Sequence, residues 1–200
     1  MGPAVTKKRE GTFTYQDYCS WSEGERWELI NGEAYDMTPA PTTKHQRIVV
    51  NLCGVLNEKL RSGPCKVFVA PTDVVLSDYD VVQPDVFVVC DKKKITPDNI
   101  QGAPDLVIEV LSPSTSLKDK RDKKSLYERS GVKEYLIVSP EELFVERYLL
   151  KEGKFTEPDI VGAHESLSLI SLEHIDIPLR EVFEVGPTKE PDEPESHTTA

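Results

Sequence analysis

Residues 105–111 read Asp105-Leu106-Val107-Ile108-Glu109-Val110-Leu111, in which the aliphatic run from Leu106 to Leu111 is interrupted once, by Glu109. Apart from that residue, this is the pattern of a strand buried on both faces, as strands of a partly parallel sheet are. A carboxylate inside such a strand costs on the order of several kcal/mol to desolvate, so it persists only where a cation, a hydrogen-bond network or a metal compensates. Glu109 therefore marks a site. Because strand side chains alternate, Asp105, Val107, Glu109 and Leu111 fall on one side, and two acids share a face. Ser112-Pro113-Ser114-Thr115-Ser116 stops the strand, and a helical pattern follows with Asp119, Lys123 and Tyr127 at i, i+4 and i+8. A cation thus arrives just after the acids.

Upstream, Val82-Gln83-Pro84-Asp85-Val86-Phe87-Val88-Val89 repeats the anomaly, with Asp85 as the acid in an apolar strand. If the strands of Asp85 and Glu109 are neighbours, their carboxylates repel unless a hard divalent cation lies between them. Mg²⁺, or Mn²⁺ in its place, suits that arrangement, since it takes one or two carboxylates and keeps several waters. Such an ion polarises a phosphoryl oxygen and activates a bound water. Lys123 is then placed to orient that water or to stabilise transition-state charge.

Around this centre the chain alternates elements. Residues 12–26 suggest a short helix capped by a threonine, then a polar loop. Trp27-Glu28-Leu29-Ile30-Asn31-Gly32-Glu33-Ala34-Tyr35 is a hairpin signal, with Asn-Gly at the turn. Apolar residues at helical spacing predict an amphipathic helix over 43–60, stopped at Gly63-Pro64. Strands are expected over 66–70 with 73–76, 81–90, 105–111 and 134–138. The helix over 116–130 has a possible capping box in Ser116 and Asp119, and Gly131 stands at its end. Beyond residue 140 the pattern is antiparallel, with strands at 143–150, 154–161 and 166–172 and a final helical turn at 179–185. The 105–138 strand-helix-strand step calls for a right-handed crossover and a mixed sheet.

Two hundred residues with 38% hydrophobic content suit one domain over 12–185, a flexible start at 1–11 and a disordered acidic tail at 186–200. No apolar stretch is long enough for a membrane span and no secretory signal opens the chain, so a cytoplasmic protein is expected. Cys19, Cys53, Cys65 and Cys90 are too far apart for a metal clip and read as reduced structural thiols. The four histidines have no metal-ligand spacing. A net charge of −11 argues against a broad nucleic-acid surface. The tail, with four acids and one lysine, carries −3 of that and leaves −8 on the body, part of which a divalent ion offsets locally.

Ala103-Pro104-Asp105-Leu106-Val107-Ile108-Glu109-Val110-Leu111-Ser112-Pro113-Ser114-Thr115, continued by Asp119, Lys123, Tyr127, Gly131-Val132 and Glu134-Tyr135, resembles the Uma2-like (DUF820) family. Trp27-Glu28-Leu29-Ile30-Asn31-Gly32-Glu33, His45 and Pro84-Asp85 support the resemblance, which spans roughly residues 13–184. That family belongs to the PD-(D/E)xK nuclease superfamily. The resemblance implies a restriction-endonuclease-like α/β core (helix, three strands, helix, strand) with a mixed sheet and added N- and C-terminal β-hairpins. It implies a magnesium-dependent endonuclease that hydrolyses DNA by a metal-activated water, with Asp85 and Glu109 as metal ligands and the Val110 carbonyl as a further one. Leu111 occupies the position two after Glu109, where the superfamily motif has its lysine. The Uma2-like pattern moves that lysine to the following helix, which makes it Lys123, with Lys124 and Lys120 as neighbouring candidates. A homodimer is implied by analogy, since cutting a duplex takes two cuts.

Plainer readings stand beside these. Asp105 after a proline caps a strand as readily as it joins a site. His45, at the start of the long helix, reads as a boundary residue or a site residue, and Glu28 and Glu33 as solvent-facing hairpin residues from which one acid could approach the metal. Ser112 and Ser114 lack a nucleophile's partners and read as turn residues. The lysines at 92–94, 118, 120, 123 and 124 and Arg121 could track a phosphate backbone or form a solvated face. Two other functional classes remain open: an inactive nuclease-fold protein that regulates or binds a partner, and a hydrolase of RNA or another phosphoester.

Overall fold

A computed structural model of the chain describes residues 6–7, 12–21, 26–37, 40–112, 119–172 and 175–186. In chain order these residues form β1 (Thr6–Lys7), α1 (Tyr15–Tyr18), β2 (Trp27–Ile30), β3 (Glu33–Asp36), α2 (Thr43–Lys59), β4 (Lys66–Val69), β5 (Val74–Ser77), β6 (Asp80–Val82) and β7 (Val86–Val89). They continue with β8 (Ile100–Gln101), β9 (Leu106–Val110), a π turn (Asp119–Lys123), α3 (Lys124–Ser130), β10 (Glu134–Ser139) and β11 (Phe144–Lys151). The last are β12 (Lys154–Phe155), β13 (Asp159–Gly162), β14 (Ser166–Leu169), β15 (Ile175–Pro178) and α4 (Leu179–Val182).

The central sheet runs β12-β11-β10-β9-β7-β4, with β13 also on β11. β9 and β10 are parallel, β7 and β9 antiparallel, so the sheet is mixed. The order α2, β4, β7, β9, α3, β10 is the expected core of helix, three strands, helix and strand. Alternation along β7 and β9 builds two apolar layers. Val86, Val88, Ile108 and Val110 pack with Ile48, Leu52 and Leu56 of α2. Phe87, Val89 and Val107 pack with Leu126, Tyr127 and Tyr135. Glu109 shares the parity of Val107 and so belongs to the second layer.

The N-terminal hairpin does not hang off this core. It forms a second sheet, β1-β3-β2-β6-β5-β8, and Thr6 and Lys7 pair with Tyr35 and Ala34. Those two residues of the expected flexible start are therefore a strand; the rest of 1–11 lies outside the described residues, as does the expected tail from 187 on. The run 81–90, read as one strand, is two: β6 in the second sheet and β7 in the central one. Pro84 has no N–H to give a ladder, and Gln83-Pro84-Asp85 carries the chain between sheets. Residues 154–161 likewise split into β12 and β13, both pairing with β11. The Ser116 end of the expected capping box lies outside the described residues.

Two thiols also differ from expectation. The antiparallel ladder of β4 and β7 pairs Lys66 with Val89, which leaves Cys65 and Cys90 facing each other just beyond it. Their Cα atoms are 3.8 Å apart and they form a disulfide. A separation of 25 in sequence gave no sign of this pairing, because it depends on strand register. Cys19 and Cys53 are free thiols.

The hairpin turn has Asn31 at φ 52° and Gly32 at φ 75°, as a two-residue turn of this type requires. A Cβ on Gly32 would meet Thr12 Cβ at 2.7 Å and the Phe13 carbonyl at 3.1 Å. Gly131 ends α3 at φ 85° with open space around the same position. Gly131→Ala is expected to cost about 1–2 kcal/mol from the left-handed backbone alone. Gly32→Ala adds an overpacking cost of about 1–3 kcal/mol. Denaturant melts of the two variants compare them directly, and equal losses would rule out the contact with Thr12 as the cause.

Candidate active site

Lys123 is the junction of the site. Its position at the end of the π turn, four residues before Tyr127, puts both side chains on the face of the helix that meets β9. Lys123 Nζ lies 2.9 Å from Glu109 Oε1 and 2.8 Å from Glu28 Oε1. The Tyr127 hydroxyl donates to the same Glu109 oxygen at 2.7 Å. Glu28, Glu109 and Lys123 side chains are 0%, 3% and 3% exposed. Two acidic side chains and one lysine are thus buried together, and the lysine offsets part of the cost of burying the acids.

Asp85 sits in the bend before β7. Alternation with Phe87 and Val89 would turn it toward α3, but its Oδ2 instead meets His45 Nε2 at 3.1 Å and accepts the Val110 N–H at 2.8 Å. His45 is in the first turn of α2, whose N-cap Thr42 accepts the His45 N–H. The Asp85 carboxylate is therefore held one residue along β9 from Glu109. Its side chain is 22% exposed, and among the described residues Oδ1 has no hydrogen-bond partner. A cleft of about 270 Å³ opens beside it, walled by Gln46, Val49, Val50 and Cys53 of α2 and by Val69. Burial pushes the Cys53 thiol up to about 11, so it is no nucleophile near neutral pH.

The structure thus brings Lys123, Glu109, Tyr127 and Glu28 into one cluster, and joins Asp85 to His45 and to the backbone of Val110. Glu28 is the correction here: its solvent-facing reading fails because all four residues of β2 are buried. Its Oε1 also accepts the Gln83 N–H at 3.1 Å. Glu33 does lie exposed, accepting the Tyr35 hydroxyl. Lys124 turns away, with Nζ 4.1 Å over the Tyr148 ring, and the Lys120 side chain lies outside the described residues.

Asp105 stands at the opposite end of β9 and is not brought to Glu109. Its carboxylate accepts the Cys90 N–H at 2.8 Å and Lys133 Nζ at 2.6 Å, tying the β7, β9 and β10 ends together. Burial alone would raise its pKa, but the Lys133 ammonium and the Cys90 N–H outweigh it and hold the carboxyl below its ordinary value. A depressed folded-state pKa contributes stability that is complete above the unfolded value near ~3.9 and is lost as acid titrates the folded group. Asp105→Asn is accordingly expected to cost about 1–3 kcal/mol at pH 7. The deficit closes as pH falls below the carboxylate range. Denaturant melts at neutral and acid pH test this, and a deficit that does not change with pH would contradict it.

Among the described residues no three His, Cys, Asp or Glu side chains are grouped to ligate a metal. A magnesium ion would need no more than one or two carboxylates, with water completing the octahedron. Asp85, one of whose oxygens has no hydrogen-bond partner among the described residues and which borders the cleft, and Glu109, one residue away along β9, are the carboxylates that would hold it. No described helix is long and apolar enough to cross a membrane.

The chain is similar to known proteins. The model of a family named Uma2, described as "Putative restriction endonuclease", matches residues 14–180. An uncharacterised protein of Synechocystis is 29% identical over 137 residues, covering 66% of this chain and 72% of the relative. The crystal structure of a "putative nuclease belonging to DUF820" from Anabaena variabilis aligns with a TM-score of 0.70 at 19% identity, covering 86% of this chain and 98% of the other. At that identity the likeness is one of fold.

Proposed function

The chain belongs to the Uma2 family, and from that premise we propose that it is a magnesium-dependent endonuclease that hydrolyses DNA phosphodiester bonds, with Asp85, Glu109 and Lys123 as its catalytic residues. The observation that carries this reading is the buried Glu109–Lys123 pair lying one residue from an aspartate that faces an open cleft. Asp85 and Glu109 would hold the ion, with the Val110 carbonyl as a further donor. When bound, magnesium, or manganese in its place, would supply a Lewis acid for the phosphoryl oxygen and would make water a better nucleophile near neutral pH. His45 orients Asp85 through Oδ2. Tyr127 and Lys123 fix the Glu109 carboxylate, and the Lys123 ammonium offers positive charge where negative charge builds on the phosphate. Hydrolysis would form a bond from the water oxygen to phosphorus and break the phosphorus bond to the leaving sugar oxygen, the attacking water giving its proton to solvent and the leaving oxygen taking one from solvent.

One observation favours a second reading, in which the nuclease fold serves partner binding without cutting. Lys123 already contacts two carboxylates, as a structural ion pair does. Calorimetric titration of Mg²⁺ and Mn²⁺ into wild type and Glu109→Gln, alongside incubation with supercoiled plasmid and with RNA, separates the readings. Binding and plasmid nicking that both disappear in Glu109→Gln support the DNA endonuclease. Cleavage of RNA alone transfers the site to another phosphoester. Absence of metal binding in wild type assigns the buried acids a structural role.

A further inference from the structure

Glu28 comes to Lys123 from outside the sheet that carries Asp85 and Glu109. It stands on β2, in the second sheet, yet its Oε1 is as close to Lys123 Nζ, at 2.8 Å, as Glu109 is at 2.9 Å. Its position is set by a backbone donor, the Gln83 N–H at 3.1 Å. Gln83 is itself held by its side chain, which accepts from Arg26 and donates to Asp73 at 2.9 Å. Gln83 begins the three-residue passage that ends in Asp85, so one short segment locates both Glu28 and the aspartate of the proposed metal site.

A divalent cation arriving at Glu109 competes with the ammonium already there, since like charges a few ångströms apart in a poorly solvated site repel. A lysine with no second acceptor would either exclude the cation or be left buried without a partner. Glu28 removes that conflict: if Lys123 gives up Glu109, its contact with Glu28 remains as it stands. We propose that Glu28 is a positioning residue that retains Lys123 while Glu109 binds the divalent cation, so that cation entry exchanges one lysine contact instead of expelling the lysine. The proposal rests on the reading of Asp85 and Glu109 as the ion's carboxylates.

The test is a double-mutant cycle read by metal affinity. Mn²⁺ and Mg²⁺ are titrated calorimetrically into the full chain as wild type, Glu28→Gln, Lys123→Met and the double variant, with thermal melts confirming that each is folded. Lys123→Gln replaces Lys123→Met where the latter does not fold. Glu28→Gln is expected to weaken the ion by about 10- to 100-fold, the usual cost of losing a residue that supports a ligand. Lys123→Met is expected to tighten it. In the Lys123→Met background Glu28→Gln then changes affinity by no more than about twofold, the ordinary error of additivity. An equal effect in both backgrounds would overturn the proposal, because Glu28 would then act on the ion directly or as a remote charge. Unchanged affinity in Glu28→Gln with normal binding in wild type removes the role of Glu28 alone. A wild type that binds neither ion removes the metal site and this proposal together.

Discussion

Glu109→Gln is expected to lower metal-dependent cleavage by at least about three orders of magnitude, equivalent to roughly 4 kcal/mol of transition-state stabilisation. The substitution keeps the shape of the side chain and an acceptor oxygen for Tyr127 and Lys123, while Lys123 retains Glu28. What it removes is one of two carboxylate charges available to the ion and the charge balance around it. The fold is therefore expected to survive, and the loss of turnover to come with a loss of metal affinity in calorimetry. Normal cleavage by a folded Glu109→Gln protein would exclude Glu109 as a metal ligand. Glu109→Ala is a poorer test, since it also opens a cavity beside Tyr127 and mixes stability with chemistry.

Lys123→Met is expected to reduce unfolding stability by about 3–5 kcal/mol, the usual result of removing one partner from a buried ion cluster. Methionine fills much of the lysine's volume, so packing is nearly conserved and the loss is mainly electrostatic. Glu28 and Glu109, both within 3 Å of the missing ammonium, would be left as like charges away from water. Adding Glu28→Gln to Lys123→Met should recover part of the loss, because one buried carboxylate fewer then faces the loss of the ammonium. Urea melts of the single and double variants measure this. A single variant within about 0.5 kcal/mol of wild type, the range of ordinary surface substitutions, would show that water or rearrangement already solvates the acids.

Much of the architecture could be read without coordinates. The 43–60 helix, the Asn31-Gly32 hairpin, the β9 strand and the strand-helix-strand step to β10 are local patterns: their periodicity and turn chemistry are written in consecutive residues. Glu109 and Asp85 could be singled out for the same reason, since a carboxylate in an aliphatic run is a local contradiction. Lys123 was singled out by the resemblance, from its place before Tyr127 and Gly131, and the structure brings it rather than Lys124 to Glu109.

Other features depended on which distant segments meet. The passage at Gln83-Pro84-Asp85 looked like the middle of one strand, because both halves are apolar and only the ladder partners distinguish two sheets. Cys65 and Cys90 pair through register, which no spacing rule conveys. Asp105 and Glu109 share a strand face in any reading, but only the neighbours at each end show that one ties strands together while the other meets Lys123. Glu28 is the clearest case. Beside an Asn-Gly turn its alternation suggests an exposed residue, and nothing nearby in sequence contradicts that. Burial of both faces of β2 by elements far along the chain makes it instead the second acceptor of the buried lysine. Local propensity and polarity determine the elements and mark the misfit acids; the partner of each buried charge is decided by long-range packing, because desolvation acts on the assembled surface and not on the sequence neighbourhood.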